Sequence, residues 1–161
     1  MKIKTGIGID VHRLEAGREF WLGGIKIGHE KGCVAHSDGD VLIHAICDAL
    51  LGATGLGDIG QHFPDTCPAY KGIDSKLLLQ KTKALIDHRG YAISNIDSVV
   101  CNVPKSDRLS MICGIAWLKS WNWMSTIFRS KRQLPNNWAS KAAKKGCRPM
   151  LRCWYTNFER K

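Results

Sequence analysis

No stretch of this sequence is apolar for the roughly 18 residues that a membrane-spanning helix needs. The N-terminus has neither an apolar signal-peptide core nor the Arg- and Ser-rich character of a transit peptide. These absences predict a cytoplasmic protein. Paired cysteine motifs are missing too. The seven cysteines, at positions 33, 47, 67, 101, 113, 147 and 153, are odd in number and form no C-x-x-C pair. That argues for reduced, incidental thiols rather than a disulfide framework. The 161 residues suffice for one domain with a real core.

Acidic side chains are nearly absent from the last third. Residues 1–105 hold 12 Lys and Arg against 12 Asp and Glu, so they are neutral. Residues 106–161 hold the other 12 basic residues against Asp107 and Glu159 alone, which accounts for the whole net charge of +10. All six histidines precede residue 105, and five of the six tryptophans follow it. Such asymmetry is the usual footprint of a nucleic-acid-binding arm, a reading weighed again below.

What is present begins with Asp10-Val11-His12, which closes an apolar stretch, and with His44 about thirty residues later. Asp, His and His suit a divalent ion such as zinc. Three protein ligands leave a fourth position for a substrate oxygen, the pattern of a working site. Residues 1–10 read as a strand with Ile3, Thr5, Ile7 and Ile9 on one side. Positions i and i+2 of a strand point the same way, so Asp10 and His12 can converge on one ion. For Asp-x-His alone, a turn aspartate beside a surface histidine is the plainer reading. The residues that follow reverse that preference.

The segments 20–22 and 25–27, with Gly23-Gly24 between them, predict a β-hairpin. Ser37 and Asp40 are spaced as a capping box, which predicts a helix from Ser37 to about residue 51. Val41, Leu42, Ala45, Ile46, Ala49 and Leu50 form its apolar stripe, while Asp40, His44 and Asp48 repeat every four residues on another face. Gly52, Gly55, Gly57 and Gly60 let backbone approach a ligand closely, in a spacing that fits neither a P-loop nor a dinucleotide fingerprint. Residues 63–66 predict a turn. Asp74-Ser75 caps a second helix over 76–88, and 91–103 is a strand candidate with imperfect alternation. The order strand, hairpin, helix, helix, strand points to an α/β (α+β) domain, a mixed sheet with helices on one face.

Six ordered motifs now stand together: I-D-V-H-R at 9–13, H-S-D-G-D at 36–40, H-A-I-C-D-A-L-L-G-A at 44–53, G-D-I-G at 57–60, F-P-D-T at 63–66 and K-G-I-D-S at 71–75. With them the chain closely resembles the 2-C-methyl-D-erythritol 2,4-cyclodiphosphate synthase family of the non-mevalonate isoprenoid pathway, over residues 1–105. The resemblance implies a homotrimer with active sites at subunit boundaries. It implies a phosphorus–oxygen lyase that converts 4-diphosphocytidyl-2-C-methyl-D-erythritol 2-phosphate to the 2,4-cyclodiphosphate and releases CMP. By the same resemblance Asp10, His12 and His44 match the zinc ligands, and His36 a residue that stabilises the transition state. Ser37 shapes the adjoining loop. Asp58, Ile59 and Gly60 match substrate contacts, as do Phe63 and Asp65, and Asp10, His12, His36 and Ser37 also border the substrate. The family carries an acidic residue where this chain has Cys67. Residues 102–105, ending at Lys105, match the start of a segment near the nucleotide phosphates.

After Lys105 the resemblance stops. The family's helix, its Thr-Thr-Thr-Glu segment beside a second divalent ion (magnesium or manganese), and its last strand are all missing from the sequence, so the glutamate ligand of that second ion is absent. The genetic code supplies an explanation. If the third base of each codon is read with the first two of the next, Trp121-Asn122-Trp123-Met124 must become Glu, Leu, Asp, and Asn137-Trp138-Ala139 must become Leu, Gly. With permitted codon choices, residues 131–140 give ATTTEQLGF and residues 141–155 give GREEGMSAYATVLV. Those strings are the family's C-terminal third, in order. The sequence therefore divides into a cyclodiphosphate synthase-like part, 1–105, and an aberrant basic, Trp-rich tail, 106–161, translated out of frame.

Two rivals remain in view. One is another zinc-dependent phosphodiesterase that uses Asp10, His12 and His44 with a metal-activated water. The other is a non-catalytic nucleic-acid-binding protein acting through the basic tail, which the out-of-frame reading disfavours.

Overall fold

The computed structural model describes residues 3–100, 128–132 and 156–160. Its centre is a helix, α1 (Val41–Thr54), buried nearly all round. The six apolar residues of the expected stripe are buried, and so are Ile43, Cys47 and Leu51. His44, Asp48 and Gly52 are the helix's less buried positions between Val41 and Gly52, four residues apart along one face. Each fully buried leucine in this core contributes about 1.5–3 kcal/mol relative to exposure.

The cap differs from the sequence expectation. The N-cap is Asp40, whose side chain accepts from the Ile43 N–H at 3.0 Å, and the helix starts at Val41 rather than in the 37–40 segment. The second oxygen of Asp40 accepts from the Gly24 N–H at 2.5 Å. Asp40 thus serves the helix and the hairpin at once, a long-range tie that a local spacing rule does not register. The hairpin is β3 (Phe20–Leu22) paired with β4 (Ile25–Ile27), as expected. Gly23 and Gly24 both adopt positive φ, +64° and +80°, which only glycine takes easily at both positions of so tight a turn. Phe20, Leu22 and Ile27 reach the core. A second small sheet, β2 (Leu14–Ala16) with β5 (Lys31–Cys33), was not legible in the sequence.

The main sheet has the order β1-β8-β6-β7. β1 (Ile3–Gly6) and β6 (Tyr91–Val100) each run antiparallel to β8 (Thr156–Arg160), and β7 (Phe128–Arg132) runs parallel to β6. The sheet is mixed, as expected, and α1 and α3 (Ser75–His88) pack on it. A register shift between Ile93 and Asn95 breaks the alternation of β6. Beyond it Ile96, Ser98 and Val100 point inward at regular spacing.

One further expectation is corrected. The first strand ends at Gly6 rather than Asp10, and residues 7–12 continue outside regular structure. Beyond Lys105, where the sequence leaves the structure open, 128–132 and 156–160 form strands that join the main sheet. Ladder hydrogen bonds are made by backbone groups, so strand pairing does not require the family's side chains. Among the described residues no helix is long and apolar enough to cross a membrane.

Candidate metal centre

Asp10, His12 and His44 come together as the sequence predicts. Each offers one ligand atom, and the three atoms lie within 4.8 Å of one another. Glycine makes this approach possible. A Cβ on Gly6 would stand 2.0 Å from the Ala49 carbonyl oxygen, and one on Gly8 would stand 1.8 Å from that of Ala45. The chain after β1 therefore lies directly on the α1 backbone, and Asp10 arrives opposite His44.

Within the cluster Asp10 Oδ1 accepts from the Val11 N–H at 2.8 Å. Oδ2 faces both imidazoles, 3.0 Å from His44 Nδ1 and 3.1 Å from His12 Nε2. The His12 contact has ion-pair distance without hydrogen-bond geometry, so His12 Nε2 is a buried nitrogen with no hydrogen-bond partner. A buried nitrogen left without a partner is costly unless something else takes its lone pair, and a divalent ion among these three groups would do so. The donor set, one carboxylate and two imidazoles, fits zinc chemistry.

The electrostatics follow the packing. Burial pushes the Asp10 carboxyl up, but the close imidazoles of His12 and His44 outweigh it and hold Asp10 well below the usual carboxylate range. Burial pulls His44 down, while Asp10, Asp40 and Asp38 together raise it above the ordinary imidazole value. Asp48 is raised by burial and by the charges of Asp10 and Asp58, against the hydrogen bond it accepts from the Ile59 N–H at 2.8 Å.

The cluster forms one wall of a cavity of about 370 Å³. Among the residues expected in the site, His36, Ser37, Ile59, Gly60, Phe63 and Asp65 line the same cavity. Asp58 does not. It is exposed and caps the short helix α2 (Ile59–His62), its two oxygens accepting from the Gln61 N–H and the Gln61 Nε2 at 2.9 Å. Lys105 lies outside the described residues. Asp48, on the polar row of α1, also lines the cavity, as do Tyr70, Ile73 and Leu78, which were not expected there. The four-residue spacing from His44 was a usable signal for Asp48. Tyr70, packed edge-on to Phe63 with ring centres 5.5 Å apart, carried none. A larger hollow of about 420 Å³, around Arg18, Trp21 and Asp74, lies across the 35–38 segment and contains none of the three clustered ligands. The candidate metal ligands line only the smaller one.

Residues 3–112 match the model of the YgbB family. The chain belongs to that family. The YgbB match runs a few residues past Lys105. The chain is 63% identical over 101 residues to 2-C-methyl-D-erythritol 2,4-cyclodiphosphate synthase of Bacteroides fragilis, covering 63% of this chain and 64% of that protein. It is 56% identical over 104 residues to the same-named protein of Thioalkalivibrio sulfidiphilus, covering 64% of this chain and 65% of that one. The chain thus spans a little under two thirds of the length of these curated relatives. A solved 2C-methyl-D-erythritol-2,4-cyclodiphosphate synthase is similar in fold, with a TM-score of 0.78 and 30% identity over 98% of this chain and 100% of the other. A second structure under that name, in its CDP-bound form, agrees equally well.

Proposed function

We propose that this chain is a cyclodiphosphate synthase by descent: it converts 4-diphosphocytidyl-2-C-methyl-D-erythritol 2-phosphate to the 2,4-cyclodiphosphate with release of CMP, in the cytoplasm. The observation that carries the reading is the convergence of Asp10, His12 and His44 on one cavity wall, with His12 Nε2 buried and without a hydrogen-bond partner. The strong likeness of residues 3–112 to the family supports it.

The physical demand is to bring two anionic phosphates together. At about 4 Å two unit charges repel by about 4 kcal/mol at an effective dielectric constant near 20. In this proposal Asp10, His12 and His44 hold a divalent ion, zinc, which supplies charge neutralisation and orientation of the diphosphate. His36, exposed at the cavity rim, donates to the charge that develops as an oxygen of the 2-phosphate forms its bond to the β-phosphorus and the bond to CMP breaks. Ser37 shapes the loop beside it. Ile59, Gly60, Phe63 and Asp65 hold the methylerythritol diphosphate, and Asp48 fixes the 58–60 turn against α1 through the Ile59 N–H. Asp58 meets substrate hydroxyls from the edge of the cavity, and Lys105 the nucleotide phosphates.

Two further parts of the proposal concern assembly and the tail. Ile3, Ile7 and Ile9 are 61%, 56% and 47% exposed, while the alternate Gly6 and Gly8 face α1. Such a row of exposed isoleucines calls for a cover, and a homotrimer supplies one. Residues 106–161 are an out-of-frame tail, so the second divalent ion lacks its glutamate, and assembly and turnover are both weak. Near 60% identity that covers 63% of the chain supports this break.

Incubation with the substrate tests the reading. Slow formation of cyclic diphosphate with CMP, brought to an efficient rate by restoring the frame, supports it, whereas a linear hydrolysed product favours the phosphodiesterase alternative.

A further inference from the structure

Ser75 is the first residue of α3 and is fully buried. Its hydroxyl joins two groups distant in sequence. Ser75 Oγ lies 2.5 Å from Asp38 Oδ1 and 2.8 Å from His44 Nε2. The other carboxylate oxygen, Asp38 Oδ2, accepts from the Ser75 backbone N–H at 2.8 Å.

The direction of these bonds follows from what each group can give. An ionised carboxylate only accepts, and a serine hydroxyl has one proton. That proton goes to Asp38. Ser75 Oγ can then only accept from His44, which requires the His44 proton on Nε2. Ser37 Oγ, 3.0 Å from the same nitrogen, offers a second acceptor in the same direction. Without a metal, His44 Nδ1 donates to Asp10 at 3.0 Å, so an ion takes the place of that proton and meets the Nδ1 lone pair, while Nε2 keeps its proton for Ser75 and Ser37. A ligating histidine is commonly oriented in this way by what its other nitrogen donates to.

We propose that Ser75, itself aligned by Asp38, is a positioning residue that fixes the tautomer and orientation of His44 so that Nδ1 is presented to the divalent ion. This rests on the metal reading above. A purely structural Ser75, a helix-start residue tied to the 36–40 loop, would make the same backbone contact with Asp38 without governing the imidazole.

Two readouts on the full-length chain separate these roles. In nitrogen-15 NMR of the zinc-loaded protein, His44 should carry its proton on Nε2 and bind the ion through Nδ1. Asp38→Ala frees the Ser75 proton to turn towards Nε2, so the Nε2–H signal should shift and zinc affinity should fall. In competition with a chromophoric chelator, Ser75→Ala should weaken zinc binding about 10- to 100-fold, the range for loss of a partner behind a ligand. A wild-type His44 with its proton on Nδ1 overturns the proposal without any variant, and so does zinc affinity unchanged in Ser75→Ala. Failure of the wild-type chain to bind zinc at all would instead overturn the metal reading on which it rests.

Discussion

Gly8 lies so close to Ala45 that a Cβ would stand 1.8 Å from the Ala45 carbonyl oxygen. This contact, rather than an extended strand, brings Asp10 to His44. Gly8→Ala must push the 7–12 segment off α1 or distort the helix. Overpacking of this kind costs about 1–3 kcal/mol. Urea unfolding should show that loss, and zinc affinity should fall with it. Wild-type stability and affinity in Gly8→Ala would show that the close approach is not what sets the site.

Asp40 and Ser37 offer a direct comparison of two capping assignments. Asp40→Ala leaves the Ile43 and Gly24 N–H groups without their acceptor, in a place where Asp40 is completely buried. Each buried unsatisfied group costs about 1–3 kcal/mol. Asp40→Ala should therefore be strongly destabilising in thermal or urea unfolding. Ser37→Ala, which removes no helix cap, should cost much less, and equal losses would revive Ser37 as the cap.

The pair of Asp10 and His44 sets a pH dependence for metal binding. His44 is raised in the folded protein, so the stability it gains from Asp10 is fully present below the ordinary imidazole value and is lost as pH climbs through the raised one. Asp10 is depressed, so its contribution is present above the ordinary carboxylate value and is lost as pH falls towards the depressed one. Zinc must displace the His44 proton. Titration calorimetry at a series of pH values should show affinity rising as His44 deprotonates, with proton release on binding. A flat profile across the neutral range would mean that the ion does not use His44.

The parts of the metal cluster were legible as local signals, and the ordered family motifs joined them. Asp-x-His closes an apolar stretch, and His44 sits in a helical four-residue row. The hairpin was legible from Gly23-Gly24, and α3 from Asp74. Longer-range partnerships were not legible. The Asp40 tie to Gly24, the Asp38 link to Ser75 and the β2–β5 pairing each join residues through the fold, and no local pattern encodes them. The strand before Asp10 was read too long because the isoleucine alternation continues past Gly6, where pairing with β8 ends and the chain lies against α1 instead.

The tail makes its own claim on the nucleic acid. The coding DNA around codon 105 should contain an open, family-like frame displaced by one base. Sequencing that region checks it, and the absence of such a frame would leave residues 106–161 as an in-frame basic segment. Salt-sensitive RNA or DNA binding that is lost on truncation at Lys105 would then become the expectation.

The most direct test of the account is to compare this chain with its frame-restored counterpart on 4-diphosphocytidyl-2-C-methyl-D-erythritol 2-phosphate, following CMP and cyclic diphosphate together. We expect zinc binding by both proteins, efficient cyclisation by the restored one, and little or no turnover by the chain as it stands. Hydrolysis without cyclisation, or a restored protein that binds zinc and releases no CMP, would contradict it.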